Sequence, residues 1–168
     1  VVVTFDRHPR GVLSDGTDAP GLLTSVEEKT ELLRSSGVDR VEVLPFTREF
    51  AALSAASYIR EILVTQFGAT DVVLGHDNRF GSDFLSTERI AELLSEMGIG
   101  VEVVPALVSP RTGGAISSSS VRRALAGGEA ELASSMLGRY YALSGTVVHG
   151  KKLARVLGYP TANLELDD

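Results

Sequence analysis

The sequence predicts an α/β fold, a doubly wound and mostly parallel sheet. Three observations predict it. Short runs of apolar, often β-branched residues alternate with longer segments of helical period. The runs close on Pro or Gly, as at Leu44-Pro45, Leu74-Gly75 and Val104-Pro105. The 168 residues are 43% hydrophobic and 23% charged, enough apolar material for one sizeable core.

The elements follow in order. Val1–Thr4 is β-branched and reads as a buried strand. A loop rich in Gly, Asp and Pro follows from Gly11 to Gly21. Thr24 or Ser25 opens a helix, with Glu27 and Glu28 placed for a capping box and Gly37 closing it. Val38–Leu44 is a strand. Ala55–Phe67 is a helix, with Tyr58, Ile59, Ile62 and Leu63 at helical spacing. Val72–Leu74 is a short buried strand, Thr87–Met97 a helix and Val101–Val104 a strand. Val121–Ala126 and Glu129–Leu137 are short helices around Gly127-Gly128, and Tyr140–Val148 is a strand with a Gly break. Strands alternating with helices imply parallel neighbours joined by right-handed crossovers.

Composition removes several function classes. With no cysteine there is no disulfide, no thiolate nucleophile and no Cys-ligated metal. His8, His76 and His149 have no metal-ligand spacing. No apolar run nears the ~18 residues of a membrane span, and no signal peptide opens the chain, so a cytoplasmic location is the default. The chain begins at Val1, without Met, inside a predicted strand. The net charge of −6 argues against a general nucleic-acid binder. The charge is uneven: residues 1–102 carry 9 bases and 17 acids, whereas residues 103–164 carry 7 bases and 2 acids. A basic C-terminal third suits a phosphate-bearing small ligand.

In sheets of this kind ligands bind beyond the carboxyl ends of the strands. Three unusual segments fall there: Asp6-Arg7-His8-Pro9-Arg10, Gly75–Gly81 and Ile116–Arg122. In the last, Ser117–Ser120 stands where a helix begins, so free amides, hydroxyls and Arg122 one turn on could cradle phosphate. A plain serine cap beside solvated arginines reads the same residues. In Gly75–Gly81, Phe80 could stack on a flat ring while Asp77 and Arg79 hydrogen-bond to it, or Phe80 could simply enter the core. His8 and Arg10 could touch a phosphate. A fourth segment, Gly145–Asn163, has a Gly150-Lys151-Lys152 turn, but no Walker A P-loop, Gly-x-Gly-x-x-Gly or Gly-x-Ser-x-Gly occurs. Together these predict a phosphate-ligand site without naming a reaction.

Five segments, in this order, resemble the bacterial bifunctional riboflavin kinase / FAD synthetase family. They are Thr4-Phe5-Asp6-Arg7-His8-Pro9-Arg10, Leu44-Pro45-Phe46-Thr47-Arg48-Glu49-Phe50, Gly75–Gly81, Ile116–Arg122 and Gly150–Asn163, the last containing Gly158-Tyr159-Pro160-Thr161-Ala162-Asn163. Each is weak alone; the ordered set is specific and covers essentially the whole chain. The resemblance implies a Rossmann-like nucleotidyltransferase domain over residues 1–138, which adenylylates FMN to FAD. It implies that residues 139–168 are the first strands of an incomplete β-barrel that phosphorylates riboflavin. Carried over, Ser117, Ser118, Ser119 and Arg122 would hold the ATP phosphates. Asp77, Arg79 and Phe80 would lie at the flavin, with His8, Pro9 and Arg10 on the same rim. Thr161 and Asn163 would serve ATP-Mg2+ in the kinase part. The implied partners are ATP, FMN and riboflavin, with FAD as product and neither nucleic acid nor membrane.

The departures carry expectations too. The family's Gly-x-Phe-Asp-Gly-x-His-x-Gly-His segment, whose histidines contact ATP, belongs ahead of Val1, and nothing here matches it. These 168 residues alone are therefore expected to show little or no activity, and the lost strand to leave an exposed sheet edge. Arg7 replaces Pro, Asn78 replaces Phe, Ser119 replaces Thr, and Ala154 stands where Gly is usual. Two other readings stay open: another nucleotidyltransferase, acting on a pantetheine phosphate or making a cytidylyl product, and a non-catalytic module that binds flavin or nucleotide.

Overall fold

The computed structural model describes residues 1–14, 20–150, 158, 159 and 161–166. They form two compact units, residues 1–21 with 40–116, and residues 22–39 with 117–168. Lys151, Lys152, Ala154 and Pro160 lie outside the described residues.

The first unit holds two parallel strand pairs. β1 (Val2–Phe5) pairs with β2 (Val41–Leu44), Val2 opposite Val41 and Phe5 opposite Leu44. β3 (Asp71–Gly75) pairs with β4 (Gly100–Val104), Asp71 opposite Gly100 and Gly75 opposite Val104. The expectation of one continuous doubly wound sheet is corrected here. Among the described residues the pairs are separate two-stranded sheets with no ladder between them. Sequence periodicity specifies parallel strand pairs one at a time; the long-range register that joins successive pairs leaves no such mark. One face of β3 and β4 is buried through Leu74, Val72 and Val101, while Val73 and Val104 on the other face stay exposed.

The core of this unit is Tyr58, Ile59, Leu63, Leu74, Ile90, Leu94 and Ile99. α5 (Thr87–Glu96) contributes Ile90 and Leu94 from one stripe and is capped by Ser86, whose hydroxyl accepts the Arg89 amide. Past the short helix α3 (Arg48–Ala51), the single helix expected over Ala55–Phe67 is one α-turn, α4 (Ala55–Ser57), that widens into a π-helix over Tyr58–Gln66. The Phe67 amide reaches the Ile62 carbonyl at 3.1 Å. The Thr65 hydroxyl donates five residues back, to Arg60. β-branched Ile59, Ile62, Val64 and Thr65 crowd the tighter α-turn, and the wider spiral still buries Tyr58, Ile59 and Leu63. A second difference is α1 (Pro9–Leu13), a short helix where a loop is expected from Gly11. Its cap is His8, whose Nδ1 accepts the Arg10 amide at 3.1 Å, and Pro9 takes the first helical position, which proline's fixed φ favours.

In the second unit, α2 (Val26–Ser35) starts in the predicted capping box: Ser25 accepts the Glu28 amide and Glu28 accepts the Ser25 amide. α6 (Ser118–Ala126) and α7 (Ala130–Leu137) bury Val121, Ala124, Ala133 and Met136. The strand expected over Tyr140–Val148 is shorter. β5 (Gly145–Val148) pairs antiparallel with β6 (Asn163–Leu166). Ahead of it, Ser144 donates its hydroxyl to the Glu28 carboxylate and Arg139 donates to the Tyr140 carbonyl, so local side-chain bonds hold residues 139–144 instead of a ladder. The Ser144 hydroxyl, the Ser25 amide and then the Arg139 charge hold the Glu28 carboxyl below its ordinary pKa.

Two devices fix the strand ends of the first unit. After β1, Asp6 accepts the Phe46 amide at 2.8 Å, tying the end of β1 to the residue that follows β2 and Pro45. That amide bond, with the Arg7 guanidinium at 3.0 Å, holds the Asp6 carboxyl below its ordinary pKa against the opposing effect of burial. After β3, the loop is clamped from both sides. The buried Thr87 hydroxyl lies 3.0 Å from the His76 carbonyl and 2.9 Å from that of Asn78. The Ser82 amide donates to the Leu53 carbonyl at 2.8 Å, and Asp83 caps α4 by accepting the Ala55 amide at 3.0 Å. Gly81 has φ +89, and a Cβ there would overlap the Ala55 backbone.

Two outcomes follow in denaturant unfolding. Gly81→Ala loses about 2–4 kcal/mol, from left-handed strain plus overlap with backbone. Asp6→Ala loses about 1.5–3 kcal/mol at neutral pH, the worth of a hydrogen bond to a charged group. Because the native pKa of Asp6 is depressed, its contribution is complete above the unfolded carboxylate value of about 3.9 and fades as pH falls through the lower native value. Asp6→Asn keeps an acceptor but lacks that acid-side loss. Identical acid limbs for parent and Asn variant contradict the role given to Asp6.

Candidate functional site

The sequence-predicted residues fall into two groups, one in each unit. In the first unit, His8, Pro9 and Arg10 stand just past β1, and Asp77, Arg79 and Phe80 just past β3. Arg10, Asp77 and Arg79 are exposed; His8, Pro9 and Phe80 are half-buried. The imidazole of His76 lies 3.7 Å from the Asp77 carboxylate, both open to solvent.

The two strand ends are linked by aromatic rings. Phe5 meets Phe46 with centroids 5.1 Å apart and Phe50 at 5.3 Å, both edge-to-face. Phe50 meets Tyr58 at 5.8 Å, and Tyr58 meets Phe80 at 4.8 Å. Phe80 thus also packs on the core, as one of its two sequence readings has it. Burial pushes the Tyr58 hydroxyl above its ordinary pKa, so it stays protonated at neutral pH. Sequence reasoning missed the parts played by Asp6, Asp83, Thr87 and the ring series. The available signal was the Leu44-Pro45-Phe46 and Phe50 spacing, which had family precedent but no assigned role.

In the second unit, Ser117 caps α6. Its Oγ accepts the Ser120 amide at 3.2 Å, while the Ser120 Oγ accepts the Ser117 amide at 2.9 Å. The Ser117 hydroxyl is thus engaged in the cap. Ser118 and Ser119 are exposed in the first turn, where amides have no carbonyl partner inside the helix, and half-buried Arg122 follows one turn later. Helix dipole, amides, two hydroxyls and a guanidinium make this an anion-attracting end.

Asn163 opens β6 and Thr161 stands just ahead of it, both exposed. The Asn163 side chain lies so close to Gly150 that a Cβ there would overlap it. Both residues offer neutral oxygens of the kind a hard cation takes. Among the described residues no three His, Asp or Glu side chains gather to hold a metal by themselves. An open groove of about 840 Å³ lies elsewhere, between α5 and β4. Glu88, Glu92 and Glu96 line it, which makes it a poor host for phosphate. No helix among the described residues is long and apolar enough to cross a membrane.

Comparison with known proteins agrees with the five segments. The FAD synthetase family matches residues 1–120 and the riboflavin kinase family residues 137–168. A bifunctional riboflavin kinase/FMN adenylyltransferase of Escherichia coli K12 is 38% identical over 99% of this chain, and one of Listeria monocytogenes is 36% identical over 99%. The chain spans about half the length of these relatives, 52% in each case. A solved structure described as a macrolide-efflux protein from Streptococcus pneumoniae superposes with TM-score 0.81 at 31% identity, over 99% of this chain and 53% of its own. The chain belongs to the bifunctional riboflavin kinase/FMN adenylyltransferase family.

Proposed function

We propose that this chain carries the FMN adenylyltransferase part of such an enzyme and the opening strands of its riboflavin kinase part. The single observation that carries the reading is the start of α6, where exposed Ser118 and Ser119 stand in the first turn ahead of Arg122. The basic C-terminal third and the family membership support it.

In the proposed reaction, a phosphate oxygen of FMN attacks the α-phosphorus of ATP. One P–O bond forms to give FAD, the bond to the β-phosphate breaks, and pyrophosphate leaves with the electron pair. The attacking phosphate is already anionic near pH 7, so no strong base is required. Catalysis is positioning and charge stabilisation. Ser118, Ser119 and the α6 amides hold phosphate oxygens. Ser117 shapes the turn and contributes through its cap. Arg122 offsets the charge that develops on the leaving pyrophosphate. On the flavin side, Asp77 and Arg79 pair with the polar edge of the ring system, Phe80 walls its apolar side, and His8, Pro9 and Arg10 form the rim.

Magnesium accompanies ATP in this reading. When bound, it neutralises part of the triphosphate charge. In the kinase portion Thr161 and Asn163 would supply oxygen donors to a magnesium ion bound with its own ATP. The same portion, with the rest of its barrel, would phosphorylate riboflavin to FMN.

Calorimetric titration of the chain with FMN and ATP separately tests the reading. Both bind, and Arg122→Ala weakens ATP about tenfold or more while FMN affinity stays within twofold, as expected for a lost charge-assisted bond. Arg122→Lys recovers only part of the loss, because ammonium cannot fork onto two oxygens. A chain that prefers a pantetheine phosphate to FMN contradicts the flavin assignment. Binding of both ligands by a full-length form that never yields FAD supports the non-catalytic module instead.

A further inference from the structure

We propose that Phe84 is a second aromatic contact for the flat ring of the acceptor substrate, and that it favours a tricyclic ring. The inference rests on the flavin reading of the loop after β3. Phe80, the aromatic residue that reading already uses, packs against Tyr58 with centroids 4.8 Å apart and against the core. Part of its ring surface is therefore spent inside the protein.

Phe84 is the opposite case. It is 77% exposed, and at φ +51 it is the one non-glycine residue with positive φ among the described residues. A bulky side chain pays for that conformation with roughly 1–2 kcal/mol, and an exposed ring recovers none of it by packing. The conformation persists because its neighbours are over-determined. Ser82 donates its amide to Leu53 and its hydroxyl to Ala52, and Asp83 caps α4. Leu85 packs on the core and Ser86 caps α5. The Phe84 amide itself turns back to the Gly81 carbonyl at 3.4 Å. Held on both sides, the backbone cannot relax, and the ring is delivered to solvent on a firm base.

Strain maintained by surrounding contacts is a mark of ligand-facing segments. An exposed ring on a backbone held in place stands ready to stack on a planar ligand. The same loop presents exposed Asp77 and Arg79, a charged pair suited to the heteroatom edge of an extended flat ring. The three together suit a planar ligand with a polar edge.

The test is FMN and ATP affinity of the full 168-residue chain and its Phe84→Ala, Phe84→Gly and Phe84→Tyr variants, with thermal unfolding alongside. Removing the ring in the Ala and Gly variants weakens FMN about tenfold, in line with stacking on one aromatic side chain. Phe84→Tyr stays within twofold of the parent, and ATP affinity is unchanged throughout. Phe84→Gly melts higher than the parent, which separates the strained backbone from the ring's binding role. If the parent binds FMN and the Ala and Gly variants match it within twofold, the role of Phe84 is overturned and the loop assignment stands. Loss of ATP affinity instead of FMN affinity also overturns it. A parent that binds no FMN overturns both.

Discussion

The ring series from Phe5 through Phe46, Phe50 and Tyr58 to Phe80 is the constraint on which the first unit depends. Among the described residues no backbone ladder connects β1 and β2 with β3 and β4. Side chains must therefore relate the two strand ends where the candidate site residues stand. Three of the five contacts are edge-to-face and two are tilted, and aromatic pairs of this kind are worth about 0.5–1.5 kcal/mol each beyond their buried area. A chain of them is also stiff, since each ring meets a quadrupole of defined orientation. Tyr58, the first residue of the π-helix, is buried between Phe50 and Phe80.

Polar clamps then convert stiffness into position. Asp6 ties the residue after β1 to the residue after Pro45, and Asp83 and Ser82 tie the loop after β3 to residues 52–55. Thr87 reaches the carbonyls of His76 and Asn78 from inside. What remains unpinned is the set of exposed groups, Arg10, Asp77, Arg79 and Phe84. A scaffold that fixes the backbone and frees only the presented side chains suits a small rigid ligand better than a flexible polymer. In the second unit the division is similar: Ser117 and Ser120 close the cap, and Ser118 and Ser119 are left to face outward.

Much of this was legible in residue pattern. Glu28 three residues after Ser25 announced the α2 cap, and four serines before Val121 announced the start of α6. The strands β1 to β4 lie where the apolar runs put them, within a few residues. Local signals of this kind come from neighbours in sequence. The pairing of the strands into separate sheets was not legible, because it depends on contacts far apart along the chain. The π-helix was hidden because its side-chain spacing still resembles an α-helix over nine residues. Phe84 carried no signal at all: a phenylalanine before a leucine reads as core, and only backbone conformation reveals that it faces solvent. For the site, residue types and order pointed to the segments, whereas the atoms that hold them, above all the Asp6 and Thr87 side chains, needed three dimensions.

In the proposed function, flavin and nucleotide address two different stretches of this chain. Backbone amide chemical shifts followed during separate titrations of FMN and ATP test it most directly. The predicted result is that FMN moves the amides of residues 75–86 and 7–11, and that ATP moves those of residues 117–122. Shifts confined to the acidic groove between α5 and β4, or FMN and ATP perturbing one common stretch, contradict it.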